Sequence, residues 1–182
     1  MINPIITTER LELKPIKFED AEELFKITSN KTTTRYMLYA GTEKIQETID
    51  FITDCQKDWN RWYEDNNKPN VALNFSIFIK NTTKPIGTIE IDILEDPTSA
   101  EMGWMIHNDF QNKGYGSEAA FAILDFAKTL GIKTIVAHCD KRNMPSFSLM
   151  KKVGMKLVSD DGDRIYPKTG EVAKEICCKI EL

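Results

Sequence analysis

The sequence predicts an α+β fold in which a mixed, mostly antiparallel sheet of about six or seven strands carries helices on both faces. The first half contains alternating apolar and polar runs joined by short turns, which is typical of antiparallel hairpins. The second half alternates helical and β-branched segments, which indicates crossover connections. No repeat, low-complexity stretch or change of composition divides the 182 residues. We therefore expect one domain, residues 1–182.

The first elements precede the hairpins. Residues 8–15 alternate apolar and polar side chains and end in Pro15, which predicts a strand. Residues 20–27 open with acidic side chains and predict a short helix. Thr42 could cap a long helix, because the apolar residues from Ile45 to Tyr63 recur in steps of three and four.

The remaining pattern predicts hairpins followed by crossovers. Three strands joined by turns come first, at residues 73–80, 86–94 and 100–107. Helical spacing then predicts helices at residues 116–130 and 144–153, with Gly131 and Gly154 as their stops. The other predicted elements are strands at 134–139, 155–158 and 173–182, and turns at 160–163 and 167–170.

Composition and charge narrow the functional class. The net charge of -4 and the pI near 5.3 argue against nucleic acid as the main partner and are compatible with a cationic substrate. We see no signal peptide at the N-terminus and no apolar run near the roughly 20 residues of a membrane span. The four cysteines have no metal-binding spacing, so we expect reduced thiols, no metal and a cytoplasmic protein.

One segment carries the chemical signal: residues 101–118 predict a strand, a turn with glycines and a helix start. Gly114 and Gly116 lack a Cβ, so a diphosphate can approach the backbone. Unpaired N–H groups at the helix start, the helix dipole and Lys113 all favour an anion. Taken alone, two glycines before a helix are more often an ordinary turn than an anion-binding site. It has neither the P-loop spacing nor the third glycine of a dinucleotide fingerprint.

Four motifs in order extend this signal over nearly the whole chain. Gln111-x-x-Gly114-x-Gly116 resembles the Q/R-x-x-G-x-G/A motif of the GNAT N-acetyltransferases. The RimJ/RimL branch of that family is resembled by three further segments: Thr8-Glu9-Arg10-Leu11-x-Leu13 with Asp20-Ala21, Glu101-Met102-Gly103-Trp104, and Asn143-x-x-Ser146 with Lys152-x-Gly154-Met155. An ordered set of this kind is far more specific than any one motif.

The resemblance implies an acetyl-CoA site. The backbone of Met105 and Ile106 would pair with the pantetheine arm. Asn143 would hydrogen-bond the cofactor near its thioester, although its side chain could equally cap the following helix. The CoA pyrophosphate would be held by the backbone of Gln111, Asn112, Lys113, Gly114, Tyr115, Gly116 and Ser117.

Acetylation of an amine requires a base, because an alkyl ammonium has a pKa near 10. Glu101 and Glu90 are the candidates, since both lie in predicted strands near the cofactor mouth; the alternative is that each is simply an exposed strand residue. A backbone N–H near Met105 could stabilise the oxyanion.

The leaving thiolate has a pKa of about 8.5, so a general acid helps only modestly. Many GNAT members supply a tyrosine, but this chain has Met150 at the matching position. Ser146 is therefore the candidate, donating a proton or holding a water, with helix capping as its alternative role. His107 and His138 have no nucleophile partner at a recognisable spacing, so we expect structural roles for both.

The resulting hypothesis is an acetyl-CoA-dependent N-acetyltransferase that works in a ternary complex without an acyl-enzyme. The acceptor would be a protein N-terminal α-amine or a small amine such as a polyamine, amino sugar or amino acid. Its pocket would involve residues 36–39, the long helix and the turn before the last strand. The alternative is a non-catalytic CoA-binding sensor or interaction module. A homodimer is compatible with the family, and nucleic acid and membrane are not expected partners.

Overall fold

The computed structural model describes residues 5–38, 41–65 and 69–182. Within them the chain forms one eight-stranded sheet with the strand order β1-β2-β3-β4-β5-β6-β8-β7. The strands are β1 (Ile6–Thr7), β2 (Leu11–Pro15), β3 (Val71–Ile79), β4 (Pro85–Ile93), β5 (Ser99–Ile106), β6 (Thr134–Asp140), β7 (Lys156–Ile165) and β8 (Val172–Glu181). The α-helices are α1 (Ala21–Thr28), α2 (Ile45–Glu64), α3 (Tyr115–Thr129) and α4 (Met144–Lys152).

The predicted fold class is confirmed, because the pairing is antiparallel everywhere except between β5 and β6. The sheet has eight strands, one more than the upper number predicted from the sequence. The extra strand is the two-residue β1, in which Ile6 pairs with Leu13 and Thr7 with Glu12. Two residues are too few to show an alternating pattern.

Both faces of the sheet are covered by helices, and α2 contributes to both apolar clusters, with Trp62 in the main core and Ile52 in the smaller one. On one face, Ile89, Ile91 and Met102 pack in the main core with the buried side of α3, including Ala120 and Ile123. The opposite face, here called the polar face, bears the side chains of Asn74, Ser76, Thr88, Glu90, Asp92 and Glu101.

Helices α1 and α2 cover part of the polar face. Leu24 of α1 and Ile52 of α2 belong to a second, smaller apolar cluster, against which Met105 of β5 packs. Ser76 of the polar face donates a hydrogen bond to Asp20, just before α1, at 2.7 Å. Glu90, Asp92 and Glu101 lie on the same face, near the junction of β5 and β6.

Two local predictions are wrong. The long helix begins at Ile45 after Lys44, and Thr42 does not cap it; the Thr42 hydroxyl lies 2.7 Å from that of Thr28 instead. Residues 160–163 are not a turn but lie inside β7, where two register shifts absorb extra residues against β8. Pairing with β8 overrides the turn propensity of residues 160–163. An ion pair between Lys174 of β8 and Asp163 of β7, at 2.8 Å, supports this pairing.

None of the helices in the described ranges is long and apolar enough to cross a membrane.

Candidate active site

The site starts where two neighbouring parallel strands separate. The ladder between β5 and β6 contains three pairs and ends at Glu101 and Val136. Beyond Glu101, no described residue of β6 pairs with β5, although β5 runs on to Ile106 and β6 to Asp140. The backbone on this side of β5 is therefore open to an extended ligand that can hydrogen-bond to it.

The register decides which residues of β5 face this gap. His107 donates its backbone N–H to Ile86 of β4, and backbone groups alternate in direction along a strand. Trp104 and Ile106 therefore face the gap, and the carbonyl of Ile106 accepts a hydrogen bond from the Gln111 side chain at 2.8 Å. Met105 turns its backbone toward β4, where it pairs with Thr88.

The loop before α3 is shaped to bind an anion. Asn112 and Gly114 both have left-handed backbone, with φ of 60° and 82°. Gly114 is the N-cap residue of α3, and no side chain in the described structure caps this end of the helix. The first-turn N–H groups of Tyr115, Gly116 and Ser117 have no intrahelical partner. Left-handed turns at a helix start direct such groups outward, as in anion-binding nests.

The two glycines of the loop have different reasons to be glycine. Gly114 needs its positive φ, and a Cβ there would lie 3.2 Å from Nη2 of Arg10. A Cβ on Gly116 would lie 2.9 Å from Cδ1 of Leu149, so this glycine lets α3 approach α4 closely. Lys113, directly before Gly114, is exposed and adds a positive charge to the loop.

Glu90 occupies the polar face directly opposite Gly103 of β5. A Cβ on Gly103 would come within 2.6 Å of Oε1 of Glu90, so the absent side chain makes room for the carboxyl group. Burial raises the pKa of Glu90 to about 7, and the charges of Asp92 and Glu101 add to this effect. A hydrogen bond from Asn74 opposes it. Glu90 can therefore accept a proton near neutral pH.

Glu101 is engaged with a histidine. Its Oε1 lies 3.0 Å from Nδ1 of His138 on the neighbouring strand β6. The hydrogen bond with Glu101 raises the pKa of His138. The partner of His138 is thus a predicted catalytic carboxylate and not a serine or cysteine nucleophile. His107 caps the short helix that follows β5, accepting a hydrogen bond from the Asp109 N–H at 3.3 Å.

The start of α4 brings a hydroxyl to the end of β6. Oδ1 of Asn143 accepts a hydrogen bond from the Ser146 N–H at 3.3 Å, which is the capping geometry considered above. Burial raises the pKa of the Cys139 thiol to about 11, while a hydrogen bond with Ser146 opposes that rise. Met150 is fully buried and contributes no hydroxyl. No group of described residues could hold a metal ion.

Two contributors to the site were missed from the sequence. Asn74 is a buried amide in a central strand, and its signal is the polar residue at every second position of an otherwise apolar run. Arg10 lies in a motif noted above, but only the fold brings it to the loop, where its Nη1 donates to the carbonyl of Lys113 at 3.0 Å.

These features fit acetyl-CoA. The open edge of β5 offers backbone groups to an extended chain that contains amides. The loop at residues 112–117 offers first-turn N–H groups, the left-handed backbone of Gly114 and the charge of Lys113 to a diphosphate.

Comparison with known proteins agrees with this geometry. The family model of the acetyltransferase (GNAT) domain matches residues 10–156. YnaD of Bacillus subtilis (strain 168), an uncharacterized N-acetyltransferase, is 32% identical over 152 residues, which cover 83% of this chain and 82% of YnaD. The crystal structure of a GNAT-family acetyltransferase from Bacillus anthracis has a TM-score of 0.81 at 25% identity and covers 97% of this chain and 98% of that one.

A further solved structure shares the fold. It is RimL, a ribosomal L7/L12 α-N-protein acetyltransferase in complex with coenzyme A, with a TM-score of 0.77 at 17% identity and 98% of each chain covered. The fold, the open strand edge, the anion-binding loop and these matches agree. The chain therefore belongs to the GNAT acetyltransferases and is an enzyme that transfers an acetyl group from acetyl-CoA.

Proposed function

We propose that this enzyme acetylates a primary amine that is cationic in solution, by direct attack within a ternary complex, with Glu90 as the general base. One observation carries the proposal: the carboxyl group of Glu90 lies over Gly103, beside the gap between β5 and β6, with a pKa raised to about 7. We also propose that residues 1–182 form a single domain, since one sheet runs through the described ranges.

The pKa of Glu90 suits the proton transfer. An alkyl ammonium with a pKa near 10 is almost entirely protonated at pH 7, so attack requires that a proton be removed. A base works best when its pKa lies near the working pH, because it is then both available and strong enough. Glu90 meets that condition, because its pKa is about 7. It would accept the proton either directly from the amine or through one water molecule.

Glu101 is better suited to a supporting role. One of its oxygens is already engaged with His138 at 3.0 Å, and its side chain remains 44% exposed. Its charge contributes to the raised pKa of Glu90. We propose that Glu101 tunes the base and that Glu90 accepts the proton.

The donor would be held by the loop and by β5. The backbone N–H groups from Asn112 to Ser117 would bind the diphosphate, whereas that of Gln111 already donates to the Asn108 carbonyl at 3.3 Å. The gap-facing backbone of Trp104 and Ile106 would pair with the pantetheine arm. Asn143 would orient the start of α4. Ser146 would protonate the leaving thiolate or hold a water that does so, with a modest effect because that thiolate is a good leaving group.

The acceptor class follows from charge. Three carboxylates, Glu90, Asp92 and Glu101, lie on the polar face beside the gap, and they attract an ammonium group. Polyamines, amino sugars, amino acids and protein N-termini all carry such a group. Part of the predicted acceptor pocket, Tyr39, lies outside the described residues. The backbone carbonyl of Tyr36 accepts a hydrogen bond from Arg164 of β7 at 3.3 Å.

An acceptor screen tests the proposal. Purified protein is mixed with acetyl-CoA and each amine class, and free CoA is followed with a chromogenic thiol reagent. We expect release above the hydrolysis rate with at least one cationic primary amine. The matched control is the N-acetylated form of the same compound, which has no amine to acetylate. If acetyl-CoA binds by calorimetry but no amine accelerates thiol release, the proposal is wrong.

A further inference from the structure

Arg10 connects the N-terminal part of the sheet to the start of α3. Its backbone N–H and its Nε donate to Oε1 and Oε2 of Glu118, at 2.8 and 2.7 Å. Its Nη1 donates to the backbone carbonyl of Lys113 at 3.0 Å. The hydroxyl of Thr8 also donates to Oε1 of Glu118, at 2.5 Å. Two nitrogen atoms of the planar Arg10 guanidinium group therefore bind two different partners, the Glu118 carboxylate and the Lys113 carbonyl.

This contact sets the orientation of one peptide group in the loop. A peptide bond is planar and trans, so its carbonyl and its N–H point in opposite directions. The carbonyl of Lys113 points toward Arg10, and the N–H of Gly114 must therefore point away from Arg10. The guanidinium also lies 4.6 Å from the ring centroid of Tyr115, the first residue of α3.

We propose that Arg10 is a positioning residue for the acetyl-CoA site, which holds the Lys113–Gly114 peptide so that the loop N–H groups face the diphosphate. The inference rests on the proposed diphosphate-binding role of the loop. It assigns a role to Arg10 within the segment Thr8-Glu9-Arg10-Leu11, which otherwise has none in the proposed function.

The effect is geometric rather than a matter of net charge. Arg10 forms an ion pair with Glu118, so together they add almost no charge beside the loop. A lysine keeps the positive charge, but its single ammonium cannot bind the Glu118 carboxylate and the Lys113 carbonyl with one planar fork. Lysine is therefore expected to fail at this position.

Two acetyl donors distinguish positioning from general stability. Acetyl-CoA contains the diphosphate, and S-acetyl-pantetheine ends before it. We expect Arg10→Lys and Arg10→Met to raise the KM for acetyl-CoA about tenfold, while kcat and the kcat/KM for S-acetyl-pantetheine stay within about twofold of wild type. The control is Lys14→Met, which removes a cation from β2 that pairs with Glu12 at 2.6 Å. It should leave both donors unaffected.

Three results would overturn the inference. If Arg10→Lys keeps the wild-type KM for acetyl-CoA, charge is sufficient and the fork is not needed. If both donors lose activity equally, Arg10 supports the whole fold. If Arg10→Met does not fold, Glu118→Gln takes its place, and an unchanged KM in that variant contradicts the inference. A wild-type protein that binds no acetyl-CoA would refute the proposed donor site itself, before any variant is made.

Discussion

Replacing Glu90 with glutamine tests the proposed base most directly. The amide keeps the size of the side chain and a hydrogen-bonding partner for Asn74, but it cannot accept the proton. In the wild type, kcat/KM should rise with pH through about 7, as Glu90 ionises. Glu90→Gln should lose this limb, and at pH 8 its kcat/KM should fall by about 10²- to 10⁴-fold, the usual contribution of a general base.

The same variant should be more stable than the wild type above neutral pH. The pKa of Glu90 rises from its ordinary 4.5 to about 7 on folding, so the folded state disfavours the ionised form. A pKa difference of about 2.5 (7 minus 4.5) corresponds to up to about 3 kcal/mol in the free energy of unfolding. This penalty is absent below pH 4.5, grows as the pH rises toward 7 and is complete above 7.

The measurements are pH profiles of kcat/KM from thiol release and urea unfolding at pH 4 and pH 8. Asp92→Asn is the matched control, because Asp92 lies on the same face and raises the pKa of Glu90 by its charge. It should move the limb to lower pH and preserve the rate at pH 8. A Glu90→Gln enzyme with the wild-type rate and an unchanged limb near pH 7 would refute the reasoning.

Three further substitutions examine other parts of the site. Glu101→Gln removes a charge that raises the pKa of Glu90, so the acid limb of the pH profile should shift downward while the rate at pH 8 changes less than about tenfold. Gly114→Ala should raise the KM for acetyl-CoA, whereas Gly131→Ala at the other end of α3, with φ of 78° against 82° and no atom near an added Cβ, should not; thermal melts should show that both variants lose about 1 kcal/mol. Ser146→Ala should lower kcat in the thiol-release assay by no more than about tenfold, since the thiolate has a pKa near 8.5; a larger loss would mean that Ser146 does more than assist the leaving group.

Local patterns predicted the parts of the structure that depend on local forces. The helix expected at residues 116–130 is found as Tyr115–Thr129, and Gly131 follows it with a φ of 78°. Apolar spacing and a glycine stop act within a few residues, so they can be detected without the fold. The turn at residues 112–114 and the helix start that follows it were predictable for the same reason.

Contacts between distant residues could not be predicted in this way. Glu90 reaches Gly103, and Glu101 reaches His138, only because of the register between their strands. A shift of one residue would move every side chain of a strand to the other face. Such a register is fixed by the packing of the whole sheet, so the sequence identified two candidate carboxylates and could not decide between them.

The distribution of charge in the fold says more about the substrates than the net charge of -4 does. Groups that favour an anion and groups that favour a cation lie in two separate regions. The outward N–H groups of the loop and Lys113 suit the anionic end of acetyl-CoA, whereas Glu90, Asp92 and Glu101 suit a cationic amine. The open edge of β5 connects these regions. We infer that each substrate keeps its charged end in its own region, while Glu90 removes the proton that would otherwise prevent the amine from attacking the uncharged thioester between them.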